Sequence, residues 1–130
     1  MDNLFSREMQ NPNTNIAEFV KFELELIFEE EFNEIQKELR KRHNSSYTEE
    51  LMFDVMWSFI IKYQDKALNA LDKILNDLPS HAKYYYPYLL GHLVDDSTLP
   101  YRLIYLNKYS KSTDEDIKEG AVEGLGYLNS

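Results

Sequence analysis

Shifting the sequence by 35 residues lays its last third over the stretch before it without a gap. Leu68 falls on Leu103, Leu71 on Leu106, Lys73 on Lys108, Lys83 on Lys118, Leu90 on Leu125, Gly91 on Gly126 and Leu93 on Leu128. A period in the thirties is the length of one helix pair, a unit that cannot bury its apolar face alone and must stack on a neighbour. The matched apolar positions recur at helical spacing, which places them on the inner sides of their helices. Gly and Pro number only four each, too few for the turns of an all-β chain.

The periodicity predicts an all-α domain of about six helices over residues 1–130. Residues 1–13 are polar and interrupted by Pro12, and read as a flexible arm. A long first helix starts near Asn15, with Glu18 as its capping-box partner, and carries Ile16, Val20, Leu24, Ile27, Phe28, Ile35 and Leu39 on its inner stripe. Its end, Arg40-Lys41-Arg42-His43, suits the negative end of a helix dipole. Ser46-Tyr47-Thr48-Glu49 is a capping-box signature opening a second helix. Leu51 to Tyr63 is apolar nearly all round, which predicts a central helix. Asp65 can cap a third helix running to about Leu78, with Gln64-Asp65 a weak break that leaves one bent helix possible. Ser80 can cap a fourth helix over about 82–94, which Pro87 kinks or delays. Asp95-Asp96-Ser97 is a turn, Pro100 fits the first turn of a fifth helix, and Thr113 caps a sixth whose first turn is acidic.

The run Asp116-Ile117-Lys118-Glu119-Gly120-Ala121-Val122-Glu123-Gly124-Leu125-Gly126-Tyr127-Leu128 resembles the second helix of a HEAT repeat. Ile117, Lys118, Ala121, Leu125, Gly126 and Leu128 occupy the places where that family has an aliphatic residue, a basic residue, a small residue, and then Leu-Gly and Leu. The resemblance covers about residues 65–130 and implies stacked helix pairs, an α-solenoid. Small Ala121 and Gly124 would let helices approach, and Leu125 and Leu128 would fill the layer between units. In the first unit Tyr86 stands where the small residue belongs and Pro87 follows it. Residues 15–63 match the pattern poorly and read as a cap over the end of the stack.

The net charge is −9, and no segment is basic: residues 1–43 carry ten acids and six bases, 44–97 eight and four, 98–130 five and four. Such a field repels nucleic acid and anionic membranes and attracts basic partners. Cys is absent, which removes disulfides, thiolate metal sites and cysteine catalysis. None of His43, His81 and His92 has a second His at helical spacing, so no metal or other cofactor is expected. Gly120, Gly124 and Gly126 lie inside a helical pattern, follow no strand and lack the Lys-Ser/Thr ending of a phosphate loop. The N-terminus lacks a basic start and an apolar run, and no apolar stretch approaches the roughly 20 residues of a membrane span. The expectation is a cytoplasmic protein that is not an enzyme.

Two features point to a protein partner. Glu23, Glu30 and Glu34 share one side of the first helix, with Glu31 beside them, an acidic strip able to receive Lys and Arg. Tyr84, Tyr85, Tyr86 and Tyr88 crowd one segment, and three consecutive residues on a helix point about 100° apart, so one neighbour cannot bury them all. Tyr84 and Tyr85 fit either core aromatics with wet hydroxyls or exposed contacts beside Asp95 and Asp96, and Tyr88 joins them. Tyr86 aligns with Ala121 and is expected in the core. By size, charge and helical shape the chain resembles the small acidic immunity proteins of bacterial toxin systems. The resemblance implies a cognate, basic, nuclease-like protein toxin as partner, with Glu23, Glu30, Glu31, Glu34, Tyr84, Tyr85, Tyr88, Asp95 and Asp96 as contact residues. A scaffold or adaptor module that binds a peptide or protein is the alternative, and a HEAT-like enzyme stands behind both.

Overall fold

The computed structural model describes residues 16–41 and 46–129, with the side chains of 46–51 outside the description. Among these residues there are six α-helices and one 3-10 turn, and no strand: α1 (Ile16–Arg40), α2 (Ser46–Tyr63), α3 (Asp65–Ile74), the 3-10 turn Leu75–Asp77, α4 (Ser80–His92), α5 (Leu99–Tyr109) and α6 (Glu115–Leu128). The all-α architecture is therefore as expected. The arm over 1–13, the Asn15 cap, Arg42, His43 and the side chains of the Ser46–Glu49 capping box lie outside the described residues.

The described residues divide into two compact units, one ending at Glu34 and the other starting at Ile35. In the first, Phe28 is buried and its ring stacks on Phe32 at 5.9 Å. The predicted inner stripe of α1 is only partly covered. Phe28, Ile35 and Leu39 are buried, whereas Ile16, Val20, Leu24 and Ile27 stay more than two-fifths exposed. Helical spacing says which side chains share a face, and a neighbour must still arrive to cover it.

The core of the second unit is built from Met52, Met56, Phe59 and Ile60 of α2, Ala67, Leu68 and Leu71 of α3, Tyr86, Leu89 and Leu90 of α4, Leu106 of α5, and Ile117 and Ala121 of α6. α2 is not wrapped on all sides. It buries one stripe and leaves Val55, Trp57 and Ile61 more than a third exposed. α2 and α3 are separate helices because Gln64, not Asp65, forms the junction, with φ 56° and ψ −131°, a conformation that glycine enters without strain and other residues do not. Its side chain offsets part of that cost. Nε2 donates to the Ile61 carbonyl at 2.9 Å.

α4 begins two residues earlier than its pattern predicts, because Pro79 rather than Ser80 takes the extended capping position (φ −62°, ψ 160°). Pro87 lies inside this helix and is buried. It removes one N–H from the ladder without ending it. α6 is capped one residue later than expected, by Asp114 instead of Thr113. The Asp114 carboxylate accepts from the amides of Asp116 at 3.0 Å and Ile117 at 3.2 Å and also pairs with Lys83 Nζ at 2.9 Å. A threonine hydroxyl could cap but could not hold the lysine. These contacts hold the Asp114 carboxyl below its usual range, the Lys83 hydrogen bond most of all.

Among the described residues α4 and α6 make the most extensive helix contact, and they run parallel: Lys83 meets Asp114, Tyr84 faces Gly120, and Gly91 faces Gly124. The approach is backbone to backbone. A Cβ on Gly120 would collide with the Tyr84 carbonyl, and one on Gly91 with the Gly124 carbonyl. A Cβ on Gly124 would sit 3.0 Å from the Pro87 carbonyl oxygen. Gly126, which the 35-residue offset matches to Gly91, faces open space. Tyr86 is buried as expected, 1% exposed.

Candidate functional site: an aromatic face on α4

Glu23, Glu30, Glu31 and Glu34 all lie in the first unit, on α1, with Glu30 and Glu34 exposed and Glu23 and Glu31 half-buried. Tyr84, Tyr85, Tyr88, Asp95 and Asp96 lie in the second. The tyrosines are brought together, and they recruit residues that the sequence reading had not singled out for binding.

Positions 84, 88 and 92 are separated by four residues and so lie along one helix face. Tyr84 stacks on Tyr88 at 5.7 Å and 19°, Tyr88 on His92 at 4.0 Å and 29°, and His92 on Tyr127 of α6 at 3.9 Å and 22°. The result is one ladder of four rings crossing from α4 to α6. His92 Nδ1 lies 2.8 Å from the Tyr88 carbonyl oxygen, so a proton on Nδ1 donates there and fixes the ring plane. The Tyr84 hydroxyl donates to the Glu123 carboxylate. Partial burial first, and then Glu123, raise its pKa well above the ordinary tyrosine value, so it remains a neutral phenol. Tyr85 meets Tyr84 edge-on at 5.1 Å and Phe53 of α2 edge-on at 5.6 Å. Tyr84, Tyr85 and Tyr88 are each half-buried and Tyr127 is 54% exposed, so the face is solvated while its rings hold one another.

Beside the ladder is a groove of about 310 Å³. Phe53, Asp54 and Trp57 of α2 form one wall, and Tyr88, Leu89 and His92 of α4 the other. Phe53 and Trp57 are four residues apart on one face of α2, and Asp54 follows directly on Phe53 in an otherwise apolar run. Leu51 to Tyr63 reads as a central helix, and that reading hides the groove. The signal that could have revealed it is Asp54 itself, since a carboxylate is almost never left in a fully buried position without a partner.

Asp95 and Asp96 have a different local role. The Asp95 carboxylate accepts from Thr98 Oγ1 at 2.8 Å, from Ser97 Oγ at 2.8 Å and from the Ser97 amide at 3.3 Å, which holds its pKa below the usual range. Thr98 Oγ1 accepts in turn from Arg102 Nε at 2.9 Å. Arg102 is 1% exposed and donates to the carbonyls of Leu90 at 2.5 Å and Asp95 at 2.6 Å. The loop between α4 and α5 is thus fastened from inside by a buried guanidinium, and Asp95 completes that fastening. Asp96 is exposed.

A second, smaller pocket of about 160 Å³ is lined by Asp72, Asn76, Lys108 and Tyr109, among others. Asp72 accepts from Tyr109 Oη at 2.6 Å and pairs with Lys108 Nζ at 3.0 Å, so these three polar groups satisfy one another. Among the described residues no three His, Asp or Glu side chains converge as a metal site, and no helix is long and apolar enough to cross a membrane. What the α4 face offers is binding chemistry: π-faces, phenol and imidazole groups, and carboxylates at its edge. Comparison of the chain with protein-family models, with curated proteins and with solved structures finds no match.

Proposed function

We propose that this chain is a protein-binding domain that neutralises a cognate basic toxin by direct contact, as an immunity protein does, in the cytoplasm where such a toxin acts. The observation that carries the reading is the solvated ladder Tyr84–Tyr88–His92–Tyr127, edged by Glu123 in a chain of net charge −9. Tyrosines in contact with one another lose little freedom when a partner arrives, and buried tyrosine is typical of the residues that dominate binding energy. The acidic field speeds encounter with a basic partner, and the α1 acids Glu23, Glu30, Glu31 and Glu34 contribute to it. The parallel run of α4 and α6, with α5 between them in sequence, supports a HEAT-like stacking of helix pairs.

The test is co-expression with the product of the adjacent reading frame. The expected result is copurification at a fixed ratio, with the neighbour toxic when expressed alone. Tyr85→Ala and Tyr88→Ala should each weaken the complex at least tenfold, a loss of about 1.4 kcal/mol or more. Charge reversal at Glu30, Glu31 and Glu34 should slow association and flatten its salt dependence. A stable complex with a harmless neighbour would instead mark an adaptor module, and no complex at all would remove the immunity reading.

A further inference from the structure

We infer that the groove between α2 and α4 is a receptor for a single arginine side chain of the partner. This rests on reading the α4 face as a protein-binding surface, and adds what enters it. Three aromatic residues from two helices, Phe53, Trp57 and Tyr88, line one small groove together with the exposed carboxylate of Asp54. Phe53 and Tyr88 already fix each other at 5.8 Å, and His92 stacks on Tyr88 at 4.0 Å, so the aromatic walls are formed before anything binds. Aromatic faces attract cations through their quadrupoles, tryptophan most strongly. At about 310 Å³ the groove is at the small end of ligand sites, a size for one side chain and not for a helix or strand.

The choice of arginine follows from the chemistry of the walls. An apolar side chain would strip water from Asp54 and return no partner to it. A lysine ammonium is a compact, strongly hydrated charge with no face to lay on a ring. A guanidinium is planar and weakly hydrated; it stacks on aromatic faces while its edge donates two parallel hydrogen bonds to a carboxylate. Phe53, Trp57 and Tyr88 supply the faces and Asp54 the carboxylate. The net charge of −9 favours the same sign of ligand over the whole molecule.

Trp57 is the single tryptophan of the chain, so its fluorescence reports on this groove. The full chain is titrated with acetyl-Gly-Arg-Gly-amide and with the same peptide carrying citrulline, the neutral isostere, in place of arginine. The expected result is a saturable change with arginine and none with citrulline over the same range. Asp54→Asn should weaken the arginine response at least tenfold with an unchanged circular dichroism spectrum. Asp77→Asn, which removes the same charge from an exposed residue that does not line the groove, should retain it. Equal responses to the two peptides, no response to either, or equal weakening by both substitutions would each overturn the assignment. A complex with the co-expressed neighbour that keeps its affinity in Asp54→Asn but loses it in Tyr85→Ala would remove the arginine receptor while leaving the protein-binding face in place.

Discussion

Arg102 is the buried residue with the most at stake. Its charge is buried and held by two carbonyls and the Thr98 hydroxyl, and desolvation lowers its pKa despite the nearby Asp95 and Asp96. Arg102→Met would leave the Leu90 and Asp95 carbonyls without these donors, at a cost of about 3 kcal/mol. In urea unfolding this should appear as a lower midpoint at unchanged slope, and Arg102→Lys should recover part of the loss. Gln64 offers a second test at this scale. Glycine is ordinarily the weaker residue, but at φ 56° the order should invert, with Gln64→Gly more stable than Gln64→Ala by roughly 1 kcal/mol. Both variants lose the side-chain bond to the Ile61 carbonyl, so their difference isolates backbone strain. Neither position was legible in the sequence. Nothing in the sequence marks Arg102, and Gln64 reads only as a weak break, because burial and φ are assigned by the surrounding chain and not by the residue type.

Between elements, the decisive contact is the glycine seam of α4 and α6. Gly120→Ala drives a methyl group into the Tyr84 carbonyl, and backbone must shift to accept it, a cost of about 3 kcal/mol. Gly126→Ala points into open space and should raise stability by up to about 1 kcal/mol through helix propensity. Thermal unfolding of the two variants should therefore move in opposite directions from substitutions six residues apart. The Asp114 cap belongs to the same seam. Its folded pKa is depressed, so its contribution is fully present above the unfolded carboxylate value near pH 4 and is lost as pH falls through the folded value. Asp114→Asn keeps a capping oxygen but gives up the Lys83 pair; it should be less stable than the parent at neutral pH and indistinguishable from it once both are fully acidified. The resemblance to a HEAT repeat made Ala121 and Gly124 legible as packing positions. Gly126 looked equivalent by offset, and its exposure shows that a repeat in sequence need not be a repeat in burial.

Across the whole molecule, tyrosine sets the response to alkali. Burial raises the pKa of Tyr84, Tyr86, Tyr105 and Tyr109, with Asp72 adding to the last three. A tyrosine whose folded pKa exceeds its unfolded value near 10 keeps its proton in the native state while the unfolded chain releases it, so stability falls as pH rises above about 10. The expected outcome is a cooperative alkaline unfolding in which much of the tyrosinate absorbance appears together with loss of helix. Gradual ionisation with helix intact would show those rings to be accessible. Tyr109→Phe should lower stability at neutral pH, because Asp72 loses its phenol donor, and should soften the alkaline transition.

The sequence by itself determined that this chain is helical, roughly where each helix lies, that Tyr86 is core and that the molecule is acidic throughout. These follow from periodicity, capping chemistry and formal charge, which are local or additive properties. Only the tertiary structure decided that Trp57, Phe53 and Asp54 face a groove instead of a core, that His92 and Tyr127 extend the tyrosine cluster into a ladder, and that Asp95 is spent on its own loop. An apolar run specifies a helix that seeks cover. Which of its faces is covered depends on the helices that pack on it, and how closely two helices such as α4 and α6 approach is decided at Gly91, Gly120 and Gly124.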